Sequence, residues 1–550
     1  MASPTTASIE PEGSNYGEVF TRRWVVELIL EVAGYRSDLD LASLVAVEPS
    51  CGSGAFLGPM VERLSKSLRG CGKTLDDASA ALRAYDLQEA NVEASRALVA
   101  KTLADDGWEV SEAVAAAERW ISCADYLLAS HAEGFADLVV GNPPYIRWDD
   151  IDADTALEYR RRCPTMGGRA DIYIGFFEVG LRSLRDGGAL AFICADRWMR
   201  NQYGTKLRAM LTDGYSVETT VLAHDVDAFE EQVSAYPAIT VIRRAPQGPS
   251  VIANTTSEFG EAEARQFFTW FETKRSKPLH ARGLSAATLP HWFGGEASWP
   301  MGSPERLATL EYLNDNFGPL EDRERGTRIG IGVATGADQV FVVKGVADVE
   351  PDRLLPMAMG RDTVTGEMVW SGHYLINPWA ADGSLVPLDD YPRMAAYFEQ
   401  HEKVVSRRNV AERRPEQWYR TIDKVEHALT ARPKLMFPDM KMTSHPVLDR
   451  GGFYPHHGLY FIVSDEWDLE VLGGLLLSKV AEFFIDCYAV KMRGGTMRFQ
   501  AQYLRRIRVP RPGEIDKATA KKLSSAFLAR DVASATDAAL SLYGIEGIPD

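Results

Sequence analysis

Gly141-Asn142-Pro143-Pro144-Tyr145 follows the apolar run Ala136-Asp137-Leu138-Val139-Val140, whose composition predicts a buried strand. Two prolines directly after a strand end its ladder, because each fixes φ and removes a backbone donor. Backbone carbonyls are left there without ladder partners, and Asn142 adds an amide oxygen beside them. Two acceptors on a rigid turn suit a planar amino group, which has two hydrogens to give. Tyr145 adds an aromatic face on which a flat ring can stack. Taken alone, these residues are also an ordinary proline-rich turn, so the rest of the chain has to decide.

Upstream, Leu44-Val45-Ala46-Val47 predicts another buried strand. It runs into Glu48-Pro49-Ser50-Cys51-Gly52-Ser53-Gly54 and then an amphipathic helix. Strand, glycine turn and helix form the opening unit of a doubly wound sheet, and glycines let a ligand approach the backbone closely. The spacing matches neither the dinucleotide fingerprint nor a P-loop, since no Lys-Ser/Thr pair follows. An acid at the strand end repels a pyrophosphate and attracts an ammonium. S-adenosylmethionine carries an α-amino group and no phosphate, which suits such a turn.

Leu82 to Asp86 predicts the second strand and Trp120 to Asp125 the third, each with an aspartate at its tip. An acid at the second tip takes ribose hydroxyls. The long gap between the glycine turn and Asp86 is assigned to an insertion around Gly70-Cys71-Gly72. Asp76 and Asp77 are alternatives that follow no strand. Near the start, Thr21 is placed as the N-cap of a helix beginning at Arg22.

The order of these segments resembles the gamma class of N6-adenine DNA methyltransferases, the TaqI-like and Eco57I-like modification enzymes. That resemblance implies a Rossmann-like doubly wound methyltransferase sheet plus a separate mixed α+β target-recognition domain. It also implies methyl transfer from S-adenosylmethionine to the exocyclic nitrogen of a flipped adenine in double-stranded DNA. Phe20 and Thr21 then flank the methionine moiety, and Glu48, Pro49, Cys51, Gly52 and Gly54 hold the amino-acid part. Asp86 takes the ribose and Asp125 the adenine amino group. Asn142 and the Pro143 carbonyl accept the two amine hydrogens, while Tyr145 and Phe229 stack on the base. Arg22 departs from the family, which commonly has proline there. Ala170 to Glu178 resembles the helix before the fifth strand, Gly187 to Cys194 that strand, and Asp227 to Ile242 the late motif that supplies Phe229. Departure of a neutral thioether calls for no metal.

Beyond Pro246-Gln247-Gly248-Pro249-Ser250 the nucleotide-fold pattern stops, and a linker is expected. The expected divisions are a disordered stretch over 1–15, a catalytic domain over 16–245, and a target-recognition domain with a helical tail over 246–550. Net charge is −17, from 60 basic and 77 acidic residues, which argues against non-specific nucleic-acid binding by the whole surface. A local exception runs from Cys487 to Arg511, where no acid occurs. Lys491, Arg493, Arg498, Arg505 and Arg506 there are interleaved with Tyr488, Phe499 and Tyr503. That mixture points to phosphate contact.

Six cysteines without metal or redox spacing predict reduced thiols, and no apolar stretch has bilayer-spanning length. A cytoplasmic prokaryotic monomer is expected, with a separate cognate restriction endonuclease as its partner in modification or phage defence. Competing readings are transfer to RNA or to a protein glutamine amide, transfer to cytosine N4, where serine usually replaces Asn142, and a non-catalytic DNA-recognition subunit.

Overall fold

The computed structural model describes residues 19–231, 236–273, 275–345, 347–489 and 497–549. The stretch 1–15 and the basic residues Lys491 and Arg493 lie outside them. The chain divides into two compact units, residues 1–307 and 308–550.

The first unit is built on a ten-stranded sheet. Its strands are β1 (Ala46–Glu48), β2 (Leu82–Asp86), β3 (Ile121–Cys123), β4 (Ala136–Gly141), β5 (Leu184–Ala195), β6 (Ser216–Leu222), β7 (Pro237–Arg243), β8 (Ser250–Thr255), β9 (Leu279–Ala281) and β10 (Leu284–Leu289). Their order is β3-β2-β1-β4-β5-β7-β6-β8-β10-β9. The first five run parallel, and β7 is antiparallel to both β5 and β6. The order reverses between β1 and β4, and in open α/β sheets a ligand crevice lies outside the carboxyl ends of the strands at such a switch point.

Both faces of the sheet are covered, and the sequence alternates to match. Leu138, Val140, Ala189, Ala191 and Ile193 pack on one side with α1 (Arg23–Ala33), α2 (Leu57–Cys71), α3 (Glu89–Asp105) and α4 (Val110–Trp120). Ala136, Val139, Leu190, Phe192 and Cys194 point to the other side, toward α5 (Ala153–Arg162), α6 (Tyr173–Ser183) and α7 (Thr205–Gly214). Successive side chains of a strand point to opposite faces, so a strand buried on both appears as an unbroken apolar run. That is why β4 and β5 stand out in the sequence.

The structure departs from three sequence expectations. The boundary expected at residue 246 falls inside the sheet: β8 pairs with β6, and β10 with β8, so the first unit continues to residue 307. The segment 246–249 carries the chain from β7 past β6 to β8 within one sheet and does not link domains. Thr21 is not a helix cap. Arg22 occupies that position in extended conformation with no side-chain cap, while Thr21 bridges to Phe229. The gap before Asp86 is filled by the 15-residue α2, closed by Gly72 in the left-handed region, and by the turn after it.

The second unit holds two four-stranded sheets. One joins Arg328–Ile331, Leu459–Val463, Lys434–Pro438 and Val447–Asp449, and the other joins Val342–Lys344, His373–Ile376, Leu354–Ala358 and Tyr454–Pro455. Helices Leu469–Leu477 and Lys479–Tyr488, broken at Ser478, pack with the tail helices Lys517–Ala529 and Val532–Tyr543 around Leu472, Leu476, Phe484 and Leu523. Among the described residues no helix is long and apolar enough to cross a membrane.

Candidate active site

A cleft of about 140 Å³ opens at the carboxyl ends of β1 to β4, lined by Phe20, Thr21, Glu48, Pro49, Cys51, Gly52, Asp86, Asp125 and Asn142 among others. Residues from five separate stretches of sequence therefore meet in one place, and all of them were candidate site residues.

The Asn142 amide is oriented by what its nitrogen meets. Nδ2 donates to the Val19 carbonyl at 2.8 Å and to the Thr21 hydroxyl at 3.2 Å. Oδ1 is buried and has no partner. The Ser50 hydroxyl donates to the Asn142 backbone carbonyl at 3.1 Å, tying the turn after β4 to the turn after β1. Among the described residues no donor meets the Pro143 carbonyl. The two acceptors expected for an amino group are thus both open. A buried acceptor left unpaired costs free energy until a donor reaches it.

Glu48 ends β1 and is 1% exposed, and its Oε2 also has no partner. Burial, and then the neighbouring Asp86 carboxylate, hold its pKa well above the ordinary carboxylate range. A cation placed against it would repay that cost. Asp86 braces the glycine turn: Oδ2 accepts from the Gly52 N–H at 2.9 Å, and Oδ1 accepts from the Gln88 N–H at 2.9 Å. Gly52 and Gly54 have φ of +51° and +100°. Gly54 lies behind the cleft wall, where an added Cβ would sit 2.6 Å from Leu98 Cδ2. Its part is close packing of the turn on α3. Burial pushes the Cys51 thiol up, so Cys51 is an inert part of the wall. Asp76 and Asp77 are excluded from the site, being held in a turn by Arg119 and Thr74.

Asp125 is more heavily engaged than the sequence suggests. Its Oδ1 accepts from the Leu127 and Leu128 N–H groups at 2.9 and 3.3 Å, and its Oδ2 accepts from the Tyr159 hydroxyl at 2.7 Å.

The late motif reaches the site through backbone pairing. Arg22 N–H donates to the Ala228 carbonyl at 3.0 Å and Glu230 N–H to the Phe20 carbonyl at 2.9 Å. These bonds stitch the N-terminal segment along the loop after β6. Arg22 also pairs with Asp227 at 2.8 Å, which gives the departure from the family's proline a structural use. Phe229 stands beside Tyr145, with ring centroids 6.3 Å apart and planes at 80°. Two rings so inclined cannot both lie flat on one base, so the expected pair of stacking faces becomes one face and one edge.

Sequence reasoning missed Ser50, Leu87, Gln88, Tyr126, Ile146, Tyr159, Ile172 and Phe176, which also line the cleft. Leu87 carries a readable signal: it is an apolar residue directly after an acid at a strand tip, and it is 57% exposed.

In the second unit Arg498 pairs with Asp439, and Arg505 Nε donates to Glu321 at 2.8 Å. Arg506 lies over the Tyr488 ring at 4.9 Å. Elsewhere in that unit Asp338, His456 and His457 come together, with His456 Nε2 2.9 Å from Asp338. The Gly458 N–H donates to His456 Nδ1, which leaves the ring proton on Nε2, facing the carboxylate.

Residues 67–229 match the Eco57I restriction-modification methylase family. The chain is 42% identical to the type II methyltransferase M.PaeR7I of Pseudomonas aeruginosa over 99% of its own length and 94% of that protein's. It is 40% identical to M.BstVI of Geobacillus stearothermophilus over 90% of each chain, and 40% identical to M.XhoI of Xanthomonas vasicola over 96% and 97%. Among solved structures, the type IIL restriction-modification enzyme MmeI, in complex with DNA, superposes with a TM-score of 0.54. That alignment covers 96% of this chain and 74% of that one at 11% identity, a likeness of fold alone. Relatives at 40 to 42% identity, matched over nine-tenths or more of both chains, show that this chain belongs to the type II restriction-modification methyltransferases.

Proposed function

We propose that the chain methylates N6 of an adenine turned out of duplex DNA, with S-adenosylmethionine as methyl donor, as the modification half of a restriction-modification system. The observation that carries this reading is the buried, unpartnered Oδ1 of Asn142 at the rim of the cleft.

The cleft residues suit the donor. Glu48, with its unsatisfied buried oxygen, would take the ammonium. Gly52 permits close approach of the backbone. Asp86, whose Oδ1 is filled by the Gln88 N–H and the Asn91 amide, keeps one lone pair on Oδ2 that would take a ribose hydroxyl, and Asp125 would take the adenine amino group. When bound, S-adenosylmethionine supplies an activated methyl group.

The chain's own residues do the rest. The lone pair of an aryl amine is delocalised into its ring and is a poor nucleophile. Asn142 Oδ1 and the Pro143 carbonyl, each accepting one N–H, draw that nitrogen toward tetrahedral geometry and stabilise the positive charge it gains. Both acceptors are fixed before the substrate arrives, so catalysis is mainly positioning and preorganised dipoles. Extrusion of the base costs a few kcal/mol. Stacking at Tyr145 or Phe229 offsets it by about 1–3 kcal/mol.

The second unit is the target reader in this reading, with Arg498, Arg505 and Arg506, and Lys491 and Arg493 beyond the described residues, directed to phosphates. Transfer to RNA or to protein glutamine leaves that unit, some 240 residues, without a task. Mapping modified adenines in DNA from cells that express the chain tests the proposal. One recurring sequence context fully methylated at adenine is the expected result, and unmodified adenine throughout would refute it.

A further inference from the structure

We propose that Tyr159 is a positioning residue for the cofactor's purine: by taking one lone pair of Asp125 Oδ2 it locks the carboxylate with the other aimed at the 6-amino group. The inference rests on the cofactor reading above and goes beyond it, since neither the glycine motif nor the catalytic motif contains this residue.

Tyr159 lies on α5, whose N-cap Asp152 accepts from the Thr155 N–H at 3.0 Å. The helix is pinned beside the cleft by Arg160, which stacks over the Trp148 ring at 3.6 Å and donates to the Gly168 carbonyl. Tyr159 is 5% exposed, belongs to the same buried apolar cluster as Tyr126, Cys163 and Phe176, and forms part of the cleft wall. Its hydroxyl therefore has little freedom, and it donates to Asp125 Oδ2 at 2.7 Å.

Asp125 shows what this bond does. Oδ1 has both lone pairs engaged by the Leu127 and Leu128 N–H groups. Oδ2 has two, and Tyr159 takes one. A single acceptor direction remains, on a carboxylate that is itself a cleft-lining group. Without the hydroxyl, Oδ2 would be held only through Oδ1, and the carboxylate could tilt or take up a water. Such a pairing discriminates a purine bearing an amine from one without it, because a site built for a hydrogen bond rejects the analogue that lacks it. Burial, then Asp125 itself, push the Tyr159 phenol well up from its usual value, so it stays a donor at any working pH.

The test is calorimetric binding to the full chain of S-adenosylhomocysteine and of its analogue with hydrogen at purine position 6. Tyr159→Phe should weaken the adenine ligand about three- to tenfold, the worth of one hydrogen bond, and leave the analogue within about twofold. In an Asp125→Asn background the same substitution should have no ligand-selective effect. Equal weakening of both ligands means that Tyr159 only supports the wall and overturns the proposal, as does an unchanged affinity for both. A wild-type chain that binds neither ligand refutes the cofactor reading itself, and one that binds both equally removes the amine contact from Asp125.

Discussion

The side-chain nitrogen of Asn142 donates to the backbone carbonyl of Val19 at 2.8 Å, and this bond fixes which end of the amide is left free. The donor end is consumed by the protein, and the acceptor end is left buried and unpaired. Asn142→Asp should therefore be as damaging as a truncation. It retains an oxygen at Oδ1, loses the donor to Val19 and Thr21, and sets a carboxylate against a carbonyl. We expect methyl transfer to fall by about 10²–10³, the usual cost of one preorganised group at a reacting centre. Single-turnover kinetics with labelled S-adenosylmethionine measure it, and a rate within tenfold of wild type would remove the orientation argument.

Glu48 is predicted to trade stability for binding. Its raised pKa means that the folded, cofactor-free protein holds a proton that the unfolded chain has already released. Stability therefore falls as pH rises above the ordinary value of 4.5, and the loss is complete above the raised folded pKa. Glu48→Gln should raise the melting temperature of the free protein at neutral pH and flatten its decline across that window. The same substitution should weaken S-adenosylhomocysteine, because the ammonium loses its counter-charge. Thermal melts from pH 4.5 to 8, with and without ligand, check both parts, and a lower melting temperature for the variant without ligand would contradict them.

The inclined rings of Tyr145 and Phe229 give a separable prediction. The Tyr145 hydroxyl is buried without a partner, so Tyr145→Phe should leave stability unchanged or improved and preserve base extrusion. Tyr145→Ala should weaken capture of the extruded base by about 1–3 kcal/mol. Fluorescence of 2-aminopurine at the target position reports it directly. Equal signals from the alanine and phenylalanine variants would take Tyr145 out of the base pocket.

Arg498 is held by Asp439, so part of its charge is spent inside the protein. If it serves DNA as proposed, removing the competitor should help: Asp439→Asn is expected to tighten DNA binding at low salt and steepen its salt dependence by about one charge. Affinity measured at several salt concentrations decides it. An unchanged slope would assign Arg498 to holding the strand Met440–Lys441 against Met497–Arg498.

Much of the first unit was legible because β1, β4 and β5 are buried on both faces, and because the ends of β1, β2, β3 and β4 that line the cleft are marked by Glu48, Asp86, Asp125 and Asn142. The boundary at 246 failed for a physical reason. Pro246, Gly248 and Pro249 are equally suited to a linker and to a tight connection between two strands, and only the pairing of β8 with β6 separates the two. Thr21 was misplaced because a hydroxyl before an apolar helical run satisfies the rule for a cap, whereas its actual partner, the Asn142 amide, lies 121 positions away. Tyr159 gave no signal, since an aromatic on a short amphipathic helix looks like core until its hydroxyl is seen to meet Asp125. The pairing of Arg498 and Arg505 with acids was hidden in the same way: the basic run contains no acid, and Asp439 and Glu321 come from elsewhere in the chain.

The most direct test is nucleoside analysis of duplex DNA of varied sequence after incubation with purified protein and labelled S-adenosylmethionine, wild type beside Asn142→Ala. Label is expected in N6-methyladenine with the wild type and none with the variant, which still binds S-adenosylhomocysteine. Label in cytosine, in RNA or in protein while adenine stays bare, or wild-type labelling by the variant, would contradict the proposed function.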